Sequence, residues 1–190
     1  DRIDLVTLTG RKSRYHIFVT ASQSTFREGE VKISCANSEG DVLVTLTFCL
    51  FEDGTARTML IGGLQVTRSQ TAKRAIITAI RDLYGVRPKQ AVFEVAQAIA
   101  QFTGCTELVA ASNKTHVSRS HVMSDYDGFW IERGGERDPF YGFRFPLSCW
   151  NRVRPNPVGL GRDAVNADLF AAAENFLDEL PKGHQQARAS

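Results

Sequence analysis

The chain lacks long hydrophobic runs, a dominant sign of charge and any cysteine pattern, and each absence removes a class of protein. No apolar stretch approaches the ~18–20 residues of a membrane-spanning helix, so no transmembrane segment is expected. The 23 Lys and Arg against 21 Asp and Glu leave a net charge of +2. Bulk electrostatics therefore give no reason to expect DNA binding, which would need a local basic patch. Cys35, Cys49, Cys105 and Cys149 form no C-x-x-C and have no histidine at zinc-finger spacing, so a structural zinc site is not expected. The first three lie in apolar strand or strand-edge contexts and read as small buried hydrophobes in a reducing compartment. There is no internal repeat, and no low-complexity tract before the final "KGHQQARAS". A strand-like segment starts within a few residues of Asp1, which reads as no signal peptide. That places the protein in the cytoplasm, or in the periplasm if a leader was removed, an option the missing initiator methionine leaves open.

What the sequence does contain is an ordinary globular composition, 43% apolar and 23% charged over 190 residues, enough for one domain with a real core. "LVTLTG" and "RYHIFVTA" flank a Gly-Arg-Lys turn and read as a hairpin. "EVKISCA" and "VLVTLTFCLF" follow, the latter with Val42, Val44, Leu46, Phe48 and Leu50 on one face. "TMLIGGLQV" is a fifth strand, and Gly62-Gly63 inside it signal a bulge or a close backbone approach. The period then changes. "SQTAKRAIITAIRDLYG" predicts a helix capped at Ser69 or Thr71, with Ala75, Ile76, Ala79, Ile80 and Leu83 on its apolar face and Gly85 beyond its end. "RPKQAVFEVAQAIAQFTG" predicts a second helix, with Pro88 in its first turn and an apolar face broad enough to pack deeply on a sheet. "TELVAAS" reads as a short buried strand, "NKTHVSRSHVMS" as a polar loop, and "DYDGFWIERGG" as a short helix with Asp125 as N-cap, ended by Gly134-Gly135. "YGFRFPL" is a last aromatic strand. The expected fold is α+β, a mostly antiparallel mixed sheet flanked by helices. The expected organisation is a core over 1–147, a loop over 148–162, an amphipathic helix over 163–181 and a disordered tail over 182–190.

"FREGE", "IGGLQ", "YGVRPK", "AASNKTHV" and "DYDGFWIERGG…GFRFPL" occur in an order that resembles the bacterial VirK/YbjX family, over roughly Leu5 to Pro146. The chain departs from that pattern after Pro146, where a basic, Tyr- and Arg-rich tail is expected, and at "LQV", where Leu-Gln-Gly is more usual. The resemblance implies a link to virulence, envelope integrity, antimicrobial-peptide resistance or protein export, with no agreed chemistry. The order of elements is also similar to the GNAT N-acyltransferase fold. In that fold a splayed strand offers backbone groups to a donor's pantetheine arm, and a helix N-terminus holds its pyrophosphate. The resemblance implies coenzyme A, or another acyl or aminoacyl donor such as an acyl-carrier protein or aminoacyl-tRNA. The acetyltransferase signature Arg/Gln-x-x-Gly-x-Gly/Ala is absent, and an extra helix stands between strand and phosphate turn.

On these grounds Gly62, Gly63 and Gln65 are candidates for holding a donor's arm, and Arg87 and Lys89 for its phosphates; the plainer reading of the latter is a solvated turn with Arg87 tied to a carboxylate. His116, at the end of a buried strand, is a candidate base with a pKa naturally near neutrality, although a structural hydrogen bond in the loop is the simpler expectation. Asp127 and Glu28 are the other candidate bases; Glu28 sits with Arg27 and Glu30 in what would by default be a surface charge cluster. Asn113, Tyr126 and Trp130 are candidate substrate contacts. Tyr126, Phe129 and Trp130 share an i, i+3, i+4 stripe that more often means core, and Asp127 and Glu132 off the stripe would be solvated or paired with arginine. His116 and His121 with Asp125 or Asp127 could bind a metal, yet H-x4-H is no recognised ligand spacing, so no metal residue is assigned. The leading expectation is a transferase moving an acyl or aminoacyl group to an amine of a peptide or small molecule. Two alternatives stand beside it: a non-catalytic binding or chaperone-like protein of the envelope or export pathway, and a metal-dependent oxygenase or hydrolase. Oligomeric state is not legible.

Overall fold

A computed structural model describes residues 2–22, 28–54, 56–67, 70–116, 125–147 and 161–169. Five strands come first: β1 (Arg2–Thr9), β2 (Arg14–Ala21), β3 (Val31–Asn37), β4 (Val42–Asp53) and β5 (Ala56–Val66). Two helices follow, α1 (Gln70–Asp82) and α2 (Pro88–Phe102), then β6 (Glu107–Ala111), α3 (Tyr126–Glu132), β7 (Glu136–Asp138) and β8 (Gly142–Phe145). The eight strands form one sheet in the order β1-β2-β3-β4-β5-β6-β8-β7. Every neighbouring pair is antiparallel except β5 and β6, which are parallel. The mixed α+β fold is as expected from the sequence. β7 is the strand the sequence hides, because "ERD" has no apolar residue to give it a period.

The helices lie on one face of the sheet, and strand alternation sends the core there. Val44, Leu46 and Phe48 of β4 pair with Val66, Leu64 and Ile61 of β5, and Leu108 and Ala110 of β6 pair with Phe145 and Phe143 of β8. α2 packs on this face and is buried along almost its whole length, from Pro88 to Ala100. Phe93 is the hub. Its ring lies 6.0 Å from Phe129, 5.4 Å from Trp130 and 5.0 Å from Phe145, in edge-on and tilted arrangements that favour aromatic quadrupoles. Leu50, expected on the buried face, is 38% exposed. Thr71 is inside α1 and not its cap, and Ser69 lies outside the described residues. α1 ends as expected, with Tyr84 and Gly85 both at positive φ (55° and 89°). A helical segment over 162–169 buries Val165 and Leu169, in line with the expected C-terminal helix; the remainder of that helix, the loop before it, the tail and Cys149 lie outside the described residues. Cys35, Cys49 and Cys105 are free thiols, and burial pushes Cys35 up to about 12, as for a packing residue and not a nucleophile. No helix among the described residues is long and apolar enough to cross a membrane.

The opposite, open face of β4 and β5 carries Thr45 against Gln65, Thr47 against Gly63, and Cys49 against Leu60. Between the pairs Thr47–Gly63 and Phe48–Ile61 the register slips by one, so Gly62 is the extra residue of a bulge. Replacing the hub should be costly: Phe93→Ala is expected to lower stability by about 3–5 kcal/mol in urea unfolding. Exposed Phe140→Ala should stay within about 0.5 kcal/mol of the parent.

Candidate functional site

The bulge is built to receive another piece of the chain. Residues 28–30 cross the open face there, with Glu30 N–H donating to Phe48 O (3.0 Å) and Ser22 N–H donating to Glu30 O (2.7 Å). Gly29 has φ 153°, and a Cβ on it would fall 2.6 Å from Phe48 O. A Cβ on Gly62 would fall within the Glu28 carbonyl, and one on Gly63 would lie 2.6 Å from Glu28 Oε2. The close approach predicted from the two glycines is therefore real, but it is made by Glu28. Gly62 and Gly63, expected to hold a donor's arm, are covered on this face by Glu28.

Glu28, expected at the surface, is buried with its carboxylate on the sheet. Gln65 Nε2 donates to its Oε2 at 2.7 Å, and Thr47 Oγ approaches the same oxygen more weakly at 3.5 Å. Gln65 is exposed, and its side chain meets the buried carboxylate from the solvent side. On the other side His116 Nε2 stands 3.6 Å from Glu28 Oε1. His116 is only 3% exposed, where a polar loop was expected. It is drawn in by the turn that follows β6: His116 N–H donates to Ser112 O (3.0 Å), while Ser112 Oγ accepts from the amides of Lys114 and Thr115. Thr115 Oγ1 in turn donates to Tyr141 O at 2.6 Å, tying this turn to the one before β8. Burial moves the His116 imidazole below its usual value, with the Glu28 charge opposing. Burial thus works against the charged form of the ring.

This cluster sits where the two parallel strands part. β5 and β6 pair only from Thr58–Glu107 to Ile61–Ala110, while β5 continues to Val66. Tyr126 enters that opening from α3. Its ring packs on His116 at 5.2 Å, and its hydroxyl accepts from Leu64 N–H at 3.4 Å. A polar path therefore runs through the sheet from Glu28 by His116 to Tyr126. Thr47 and Thr115 were overlooked in the sequence; the alternation of Thr45, Thr47 and Cys49 against Val44, Leu46 and Phe48 would have placed the first on this face.

The remaining candidates divide. Asn113 and Asp127 clamp the turn to α3: Asn113 N–H donates to Asp127 Oδ1 (2.9 Å) and Tyr126 N–H donates to Asn113 Oδ1 (3.0 Å). Asp127 also pairs with Arg137 at 3.2 Å, so it is a positioning group and not a base in contact with the cluster. Trp130 is core, 1% exposed, with Nε1 donating to Ala111 O at 2.9 Å, which leaves it no surface for a substrate. Arg87 is ion-paired with Glu132 on the helix face, as the plainer reading held. There Arg87 and Lys89 flank a cavity of about 110 Å³ with Val44, Val66, Ile76 and Phe129 in its apolar wall. Lys89 is held below the usual lysine value by burial and by Arg87 beside it. A second cavity, of about 250 Å³, opens on the other face beside Glu28, Gly62, Ala111 and Thr115. Among the described residues no three His, Cys, Asp or Glu side chains gather as metal ligands; His121 and Arg27 lie outside them.

The family described as "Protein of unknown function (DUF535)" matches residues 1–154, and the chain belongs to that family. It is similar to the uncharacterized protein YbjX of Escherichia coli (strain K12), 33% identical over 153 residues. That alignment covers 76% of this chain and 46% of YbjX, so the chain spans less than half the length of this relative. The VirK/YbjX resemblance read from the motifs is thereby borne out. No solved structure matches.

Two measurements check the geometry. Gly62→Ala must push residues 28–30 off the sheet and should cost about 1–3 kcal/mol or more, read by thermal unfolding. His116, depressed in the folded state, binds its proton less readily than in the unfolded chain. Stability should therefore fall as pH drops below the ordinary histidine value of 6.5, and His116→Gln should flatten that slope.

Proposed function

We propose that this DUF535 protein is a transferase that moves an acyl or aminoacyl group from an activated donor to an amine, with the Glu28–His116 pair as its base. One observation carries the reading: a buried imidazole backed by a carboxylate lies where β5 outruns its parallel partner, with one cavity on each sheet face. The similarity to the GNAT arrangement supports it further. Antiparallel strands, a glycine bulge, helices, a buried parallel strand, a short helix and closing strands follow one another in that sense.

The helix-face cavity suits the donor. At the start of α2 the amides of Lys89 and Gln90 precede the first intrahelical bond, which Ala91 N–H makes to Arg87 O. Those amides, the helix dipole and two cationic side chains favour an anionic group at the mouth, above apolar walls for an alkyl arm. A phosphate there must compete with Glu132 for Arg87. The acceptor amine comes from the open face. Its nitrogen attacks the donor's carbonyl carbon, the C–N bond forms and the bond to the leaving sulfur or oxygen breaks. The proton lost by nitrogen passes to His116 and then to the leaving group, so no outside oxidant or reductant is needed. Glu28 steadies the imidazolium that forms in between.

The test is incubation of the chain with coenzyme A thioesters, an acyl-carrier protein or aminoacyl-tRNA and a panel of amines, with products read by mass spectrometry. Turnover should drop about 10²–10⁴-fold in His116→Gln, and the parent's loss of rate on acidification should set in below the ordinary histidine value of 6.5, because burial lowers His116. If no donor binds in calorimetry and none is turned over, the reading fails.

A further inference from the structure

The open-face cavity has a chemistry of its own. Two carboxylates border it, Glu28 from within and Glu30 from its exposed rim, and among the described residues no lysine or arginine lines it. Its inner wall is apolar, with Leu60, Cys49 and Ala111, and the rings of Phe140 and Tyr141 close one side. The Phe140 ring is 84% exposed, while Tyr141 is braced by Phe51 at 6.4 Å between centroids. At about 250 Å³ the space lies below the roughly 300–1,000 Å³ of typical small-molecule pockets. It is the size for one extended side chain. The negative potential from Glu30 also reaches the wall, since it helps raise the Cys49 thiol.

Resting on the transferase reading for the word acceptor, we infer that this cavity takes a primary ammonium on an unbranched aliphatic stem, such as a lysine side chain. The stem lies along Leu60 and Ala111, and the ammonium is drawn by the two carboxylates and the aromatic rim. A free amino acid presenting its own α-amino group is disfavoured, because its carboxylate would be carried in beside Glu30. The group binds as the ammonium and reacts as the amine: one proton leaves to solvent through the open mouth of the cavity, and the second, lost as the C–N bond forms, passes to His116 and on to the leaving group.

Binding is measured on the full chain without any donor, by NMR titration with Nα-acetyl-lysine amide, its norleucine counterpart and its glutamate counterpart. The lysine amide should bind ~10-fold or more tightly than the norleucine amide, the glutamate amide should not bind, and Glu30→Gln and Phe140→Ala should each weaken the lysine amide by about threefold. Both variants alter exposed side chains, so folding is not at issue. Equal binding of the norleucine amide, no binding of the lysine amide, or no effect of either variant overturns the inference. The two readings fail separately. Lysine amide bound as described, with no donor turned over, removes the transferase and leaves the site; transfer chiefly onto uncharged or carboxylate-bearing acceptors removes this inference and leaves the transferase.

Discussion

The crossing of Glu28, Gly29 and Glu30 over the β4–β5 bulge governs everything else at this site. The crossing is possible because three glycines leave room: Gly29 turns against the Phe48 backbone, and Gly62 and Gly63 give up their side chains to Glu28. A buried carboxylate is expensive unless bonded, and Gln65 at 2.7 Å supplies the strongest of its contacts. The bulge is thus the seat of a charge brought under the protein's surface. From the turn after β6, His116 reaches it at 3.6 Å, and Tyr126 packs on that imidazole.

The second constraint is the unequal length of the parallel strands. β6 is five residues long and β5 is 11. Past Ile61 the backbone of β5 must find partners on that side other than a strand, and Leu64 N–H finds the Tyr126 hydroxyl. A gap in pairing within a sheet is one of the few places where polar side chains can pass from face to face. Here the gap is held by the reciprocal bonds of Asn113, Asp127 and Tyr126, so the motif "DYDGFW" acts as a brace. Its aromatic stripe belongs to the core around Phe93.

Much of the fold was legible because period-two and period-3.6 patterns are local: five strands, two long helices, the capped α3 and its glycine stop follow from single segments. The site was legible only in its members. Glu28, Gly62, Gly63, Gln65, His116 and Tyr126 could each be named, yet their meeting depends on a long-range crossing that no local pattern encodes. Glu28 looked like part of a surface cluster because its neighbours Arg27 and Glu30 are charged, and its burial is decided by glycines more than thirty residues away. His116 looked like part of a polar loop because its neighbours are polar, and its burial depends on the same crossing. Trp130 and Asp127 misled in the opposite sense: their chemistry suggested a site, while their contacts serve packing and bracing.

The distance between these residues along the chain has a consequence for how the site is completed. Glu28 can settle on Gly62 and Gly63 as soon as residues up to Val66 exist, since β3, β4 and β5 are a simple meander of neighbours. His116 arrives only after two helices and the crossover strand, and Tyr141 later still. In chain order the carboxylate therefore comes first and its roof last. An N-terminal fragment ending near Val66 would carry the carboxylate without the imidazole that stands beside it in the whole structure.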